Sequence, residues 1–387
     1  MPAPSKKMEI SYKTFIGRQK YKRWASREFF SSFKKRYFEV ILSNHTCMKL
    51  KMRTVLFLSL SLASAVPSLA QEDVDHLLTE SLDDGRKLIT AYTTPFMNSL
   101  TLSMNQGWYN TAKAHKIAGI DLTITANAMT IPKSDLFFDA TKLGLQVVQL
   151  DNSSPNYPLS PTLLGPEDEP TFSYTDEETG NTETFVGPGG IDLEKNIGKN
   201  WLPVPMANLG IGLPKGTDLK LRFTPKIDLG DDSSLKIFGV GIMHDVKQWI
   251  PGIKLLPFDL SGFVGYTHVK LDSYFDHNTS PDQHGIFEMS ATTIQGVISK
   301  QFSVLTLYGG LGYNIAKSNI AMKGTYDIND NGETDPNEVD PLDLKFAASG
   351  FRTTAGFRLK LAVLTLHADY TLQKYKCLTV GIGISVR

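Results

Sequence analysis

The chain has 387 residues, 40 basic and 40 acidic, but the charges are segregated. Residues 1–53 hold 14 Lys/Arg and 3 Asp/Glu, whereas 71–387 hold 26 and 37, a net charge of −11. So acidic a body offers no footprint for nucleic-acid phosphates. A mean hydropathy of −0.16, with no apolar run of about 18 residues after residue 70, excludes a helical membrane bundle. Two cysteines, Cys47 and Cys377, exclude a disulfide scaffold and a Cys-rich zinc site.

Residues 1–47 are basic and aromatic (Lys20, Lys22, Arg23, Trp24, Lys34, Lys35, Arg36). They read either as an arm for a charged surface or, preferably, as a non-native upstream extension with Met48 or Met52 as the start. Residues 48–70 have the plan of a signal peptide: Lys49, Lys51 and Arg53, then an apolar core from Thr54 to Val66, then Ser68-Leu69-Ala70. Cleavage before Gln71 is expected, because the apolar core is short for a spanning helix. Residues 71–96 form the one helical segment of the exported part. Val74, Leu77, Leu78, Leu82, Leu88, Ile89 and Tyr92 recur at helical spacing, as an amphipathic cap or plug for the periplasmic mouth of a C-terminal β body.

Beyond Pro95 the period becomes two. Strands are predicted near 97–109, 116–131, 134–150, 201–212, 217–229, 235–249, 258–273, 287–299, 304–314, 349–361, 364–373 and 377–387. Leu378, Val380, Ile382, Ile384 and Val386 alternate with Thr379, Gly381, Gly383 and Ser385, and Ile120, Leu122 and Ile124 with Asp121 and Thr123. A soluble sandwich also alternates, with its apolar face inward. The length of the strands and the sorting of connections into short turns and long polar loops favour an all-β transmembrane barrel of about twelve antiparallel strands over 97–387. Short turns inside would leave both ends of the barrel chain periplasmic.

Several marks accompany this pattern: Gly107-Trp108-Tyr109-Asn110-Thr111-Ala112, Asp121-Leu122-Thr123, Trp249-Ile250-Pro251-Gly252 with Leu256-Pro257-Phe258, and the closing Gly381-Ile382-Gly383-Ile384-Ser385-Val386-Arg387. On these, residues 72–387 resemble an uncharacterised family of outer-membrane barrels from the Bacteroidota. In general plan the chain is also similar to fatty-acid transport and porin-type barrels, without a shared residue motif. The resemblance implies the cell outer membrane, a lipid bilayer and the barrel-assembly machinery as surroundings, and no particular activity. Arg387 departs from the aromatic end of many such barrels.

Asp327-Ile328-Asn329-Asp330-Asn331-Gly332-Glu333-Thr334-Asp335-Pro336-Asn337-Glu338 fits the spacing of a calcium loop. Asp327, Asn329, Asn331, Glu333, Asp335 and Glu338 are its candidate ligands, for a Ca2+ that would order the surface loop; a solvated acidic turn is the plainer reading. His277 and His284 with Asp276 and Asp282 suggest, more weakly, a transition-metal group. Lys220, Arg222, Arg352, Arg358, Lys360, His367 and Asp369 fall on the inward side. They would either select anionic or polar solutes, as charged rings do in pores, or neutralise one another. Trp108, Tyr109, Trp201, Trp249, Tyr266, Tyr308 and Tyr313 fall near strand ends, where aromatic girdles form. No required cofactor and no catalytic group is predicted. The leading expectation is a channel or transporter for small solutes; the alternative is a structural barrel whose long loops bind partners.

Overall fold

In the computed structural model the described residues are 81–175, 180–230, 233–274, 282–326 and 336–386. Ten strands close into one antiparallel barrel, and the other two predicted strands are not part of its wall. In chain order the elements are α1 (Leu82–Ser103) and β1 (Ile120–Thr130), then the short strands β2 (Phe137–Asp139), β3 (Gln149–Leu150), β4 (Leu159–Pro161), β5 (Thr171–Thr175) and β6 (Thr182–Val186), and α2 (Leu193–Ile197). The rest of the wall is β7 (Trp201–Leu213), β8 (Thr217–Gly230), β9 (Ser233–Asp245), β10 (Asp259–Tyr274), β11 (His284–Phe302), β12 (Leu305–Lys323), β13 (Leu342–Leu361), β14 (Leu364–Leu372) and β15 (Cys377–Val386). Each of β7 to β15 pairs with the next, and β1 closes the ring between β15 and β7.

The predicted strand 97–109 is the C-terminal part of α1 and the turn after it. Residues 95–106 are buried on all sides, so no one-sided helical stripe is required of them, and Leu100, Leu102 and Met104 alternate with Thr101 and Ser103 as a strand would. The predicted strand 134–150 is instead irregular chain with two very short strands. Its apolar residues fill a small local core, where Val148 and Leu150 meet Leu88, Phe172 and Phe185. The two losses cancel in parity but reverse the direction of β1. Its connection to β7, 131–200, therefore belongs to the same end as 275–283 and 324–341, while the tight turns 214–216, 303–304 and 362–363 mark the other end.

The wall has two zones. On the short-turn side, β15 buries Cys377, Thr379, Gly381, Gly383 and Ser385 and exposes Val380, Ile382, Ile384 and Val386; β1 behaves alike. Leu260, Val264 and Tyr266, Ile294 and Ile298, Leu307, Leu311 and Tyr313, and Phe351 and Phe357 extend the outward apolar band around the barrel. Phe351 to Leu361 is the length of tilted strand that makes a band about 25 Å tall. Tyr266 and the edge-to-face pair Tyr313–Phe351, 5.2 Å between centroids, mark its upper margin. Trp249, Ile250, Leu255 and Leu256 stand exposed on the 246–258 connection at the lower one.

Above that margin the pattern inverts. On β13, Leu342, Leu344, Phe346 and Ala348 turn inward, whereas Asp343, Lys345, Ala347 and Ser349 turn outward. The outer face of this upper zone carries ion pairs, Lys345–Asp343 (3.1 Å), Lys270–Asp272 (2.9 Å) and His268–Glu288 (3.3 Å). Its interior is a hydrophobic core in which Phe96, Met97 and Leu100 of α1 meet Val204, Met206, Val269, Leu271, Phe287, Leu344 and Phe346. β10 to β13 run 16–20 residues and carry this zone, while β1, β14 and β15, of 9–11 residues, stop near the margin.

One joint in the wall is short. Among the described residues, the β7–β8 ladder runs only from Leu213↔Thr217 to Leu209↔Leu221, though β7 pairs with β1 from Trp201 to Ile211. Pro203 and Pro205 on β7 and Pro225 on β8 lack N–H groups, the chemistry of strand edges.

Candidate functional site

The bore is filled by the chain's own residues 82–112, and 113–118 surface at its short-turn end. The 22-residue α1 is too polar to count as a membrane span; it lies inside the protein. Ser81 caps it by accepting from the Asp84 N–H (3.3 Å), and Asp83 and Asp84 sit in the first turn, where the helix dipole favours them. The helix begins at the long-loop end. There the Asp84 carboxylate accepts N–H groups from Gln146, Val147 and Val148 at 2.8, 2.7 and 3.1 Å. Arg86 donates twice to the Pro341 carbonyl (3.1 and 2.7 Å), and Tyr92 donates to the Gly189 carbonyl (2.9 Å). The cap is expected at the mouth where the barrel chain begins and ends; the helix instead enters from the opposite end, with Ser81 and Val386 at opposite ends of the barrel.

Below the helix, two arginines grip the chain by its carbonyls. Arg222 on β8 donates to the Met104 carbonyl (2.5 Å), to the Gln106 carbonyl and to the Asn208 side chain (2.5 Å), and its guanidinium lies 3.7 Å from the centre of the Trp108 ring. Arg352 on β13 donates to the Asn105 carbonyl (2.7 Å) and to the Gln106 side chain (2.8 Å). Asn208 donates to the Gly107 carbonyl (2.8 Å). Charged donors to carbonyls contribute about 1.5–3 kcal/mol each. Gly107 has φ +68°, and a Cβ there would fall 2.6 Å from the Thr125 hydroxyl, so only glycine fits this bend.

Trp108 and Tyr109 then pack on Phe263, and the Tyr109 hydroxyl donates to Gln295 (2.5 Å). A Cβ at Gly310 would lie 2.3 Å from that hydroxyl, so the wall carries a notch shaped to the plug. Ser261 donates to the Ala112 carbonyl (2.6 Å), and Asp218 accepts both the His115 N–H (2.9 Å) and its ring Nδ1 (2.8 Å). At Ala118 the chain reaches the short-turn end, bonded to the Gly212 carbonyl, and turns into β1.

Lys220, Arg222, Arg352, Arg358, Lys360, His367 and Asp369 all lie inside the wall. Arg222 and Arg352 hold the plug instead of facing open space. Lys220 lies 3.9 Å from Asp218, Arg358 lies 3.9 Å from Asp121, and Asp369 accepts from the Tyr308 hydroxyl (2.7 Å). Among the described residues, Arg358 Nε, Thr365 Oγ1 and both His367 ring nitrogens are buried in this lower bore without a hydrogen bond, and Arg358 Nη2 reaches Asp121 Oδ2 only at 3.9 Å. Of the aromatic girdle, Trp249, Tyr266 and Tyr313 are exposed, whereas Trp108, Tyr109 and Tyr308 are buried in the bore. Gly107 to Ala112 stand out in the sequence, but nothing in their spacing tells a plug from a strand end.

Asp327, Asn329, Asn331, Glu333 and Asp335 lie outside the described residues, as do Asp276 and His277. Glu338 is buried, and its carbonyl accepts from the Tyr326 N–H (3.0 Å). Asp282 accepts from the Thr325 N–H (3.2 Å), joining two long-end loops.

No functionally curated protein matches the sequence. Solved structures similar to it include the attachment invasion locus protein Ail of Yersinia pestis: 10% identity, covering 70% of this chain and 98% of that one, TM-score 0.24. The translocator domain of the autotransporter NalP from Neisseria meningitidis has 10% identity, 70% and 90% coverage and a TM-score of 0.27. The toluene transporter TodX of Pseudomonas putida has 9% identity, 76% and 71% coverage and a TM-score of 0.20. Identity this low speaks to fold alone, and superpositions this loose carry no argument about function. Residues 48–386 match the model of a family of unknown function, DUF6588, and the chain belongs to that family.

Proposed function

We propose that this is an outer-membrane barrel that passes small solutes when the segment 104–112 leaves the bore. The observation behind this reading is the group of buried polar atoms on Arg358, Thr365 and His367 that make no hydrogen bond, beside the long Arg358–Asp121 pair. A buried polar atom without a partner costs about 1–3 kcal/mol, and a bore meant to stay dry has no use for a group of them. Along 104–115 the plug meets the wall through hydrogen bonds and a small apolar cluster of Trp108, Tyr109 and Ala112 with Met243, Phe263 and Tyr308; α1 is held by a larger hydrophobic core above. The lower segment is therefore the part that can yield. Which solute passes depends on the balance of Lys220, Arg358 and Lys360 against Asp121, Asp218 and Asp369, and three cations against three carboxylates suit a small polar solute best.

The same reading includes export by the 48–70 signal, insertion by the barrel-assembly machinery, and Ca2+ ordering the 327–338 loop, tested by calcium affinity before and after Asp327→Ala. It includes no catalysis. Conductance in planar bilayers tests solute passage. The intact protein should be closed with brief openings, and Trp108→Ser with Tyr109→Ser should conduct steadily. A refolded, heat-modifiable double variant that stays silent would overturn the reading. It would leave the second one, a barrel that presents its 151–200 and 315–348 loops to partners, which the filled bore favours.

A further inference from the structure

We propose that the barrel presents the N-terminal end of α1 on the long-loop face, outside the cell. The direction of threading carries this. Contacts of successive plug residues descend the wall in order, from Arg86 at Pro341 above β13, to Asn105 and Gln106 at Arg352 in mid-strand, to Thr111 and Ala112 near Ser299, to His115 at Asp218 by the first residues of β8. The chain thus runs from the long-loop end to the short-turn end before β1 begins. In barrels of this kind short turns are periplasmic and long loops external, so Ser81 is on the external side.

The upper end of α1 is also built as an anchorage. Asp84 is fixed by three backbone N–H groups of one loop, Arg86 by the carbonyl of a second, and Lys87 reaches the Gly144 carbonyl at 2.9 Å. These ties fix the first turn of α1 among the long loops. The inference does not depend on solutes passing through the barrel.

Single cysteines test it in cells that make the full chain, with the buried Cys377 replaced by serine. Asp83→Cys sits at a side chain 71% exposed, Lys142→Cys on the long-loop face at 80%, and Val304→Cys in a short turn at 46%. A membrane-impermeant maleimide should label the variants at 83 and 142 in intact cells, and the one at 304 only after the outer membrane is permeabilised. Heat-modifiable migration and labelling after denaturation show that each variant is folded and reactive. Label at 142 without label at 83 would overturn the threading. Label at 304 alone would overturn the outward display by inverting the barrel. Neither result touches the conductance test, so the two proposals fail separately.

Discussion

The upper and lower halves of β13 obey opposite rules. From Leu342 to Ala348 the apolar residues point in and the charges out, as in a soluble protein; from Phe351 to Lys360 Phe351 and Phe357 point out while Arg352, Arg358 and Lys360 point in. One strand meets two solvents, and its sequence changes sign where water gives way to lipid. The plug obeys the same division. The upper part, α1, is held by the hydrophobic effect, and the lower part by arginine–carbonyl hydrogen bonds beside a smaller aromatic cluster of Trp108 and Tyr109 on Phe263.

The sharpest break of this comparison is inside the upper zone. Phe346→Ala should cost about 3–5 kcal/mol in urea titrations of the bilayer-refolded barrel, because it empties the core around α1. A charge on the outer face separates the zones next: Phe357→Lys should cost about 2–4 kcal/mol if it meets mid-bilayer, whereas Ala347→Lys, ten residues up the same face, should change stability by at most about 0.5 kcal/mol.

At the top of the plug, Asp84→Asn should cost about 1–2 kcal/mol. Burial pushes the Asp84 pKa up, but the three backbone N–H groups and Lys87 outweigh it and hold the group below its ordinary value. Its contribution is therefore complete above about pH 3.9 and fades as the pH falls through the lower folded value; a pH titration of stability should show this loss in the parent and not in the variant. The smallest effect belongs to the exposed His268–Glu288 pair, where Glu288→Gln should shift stability by about 0.5 kcal/mol or less.

The lower zone was legible because lipid enforces one sign of alternation, and ten of the expected strands lie where Ile, Leu, Val and Phe mark it. The upper zone was not. Residues 342–348 alternate with the opposite sign, so they read as loop, and the same reversal trimmed β12 at 314 instead of Lys323. The plug was hidden for a related reason: a helix buried on every side loses the stripe that reveals helices. The inward placement of Arg222 and Arg352 is a matter of strand parity, but their carbonyl partners on 104–106 belong to a segment distant in sequence. No local pattern encodes that meeting.

The central claim is that the outer face of the barrel is greasy only on its short-turn half. Tryptophan placed one at a time at the outward positions 343, 345, 347, 349, 351, 353, 355 and 357 of β13, in vesicles of brominated lipid, measures it directly. Quenching should be absent from 343 to 349 and strong from 351 to 357. Equal quenching along the whole row, or quenching confined to 343–349, would contradict it.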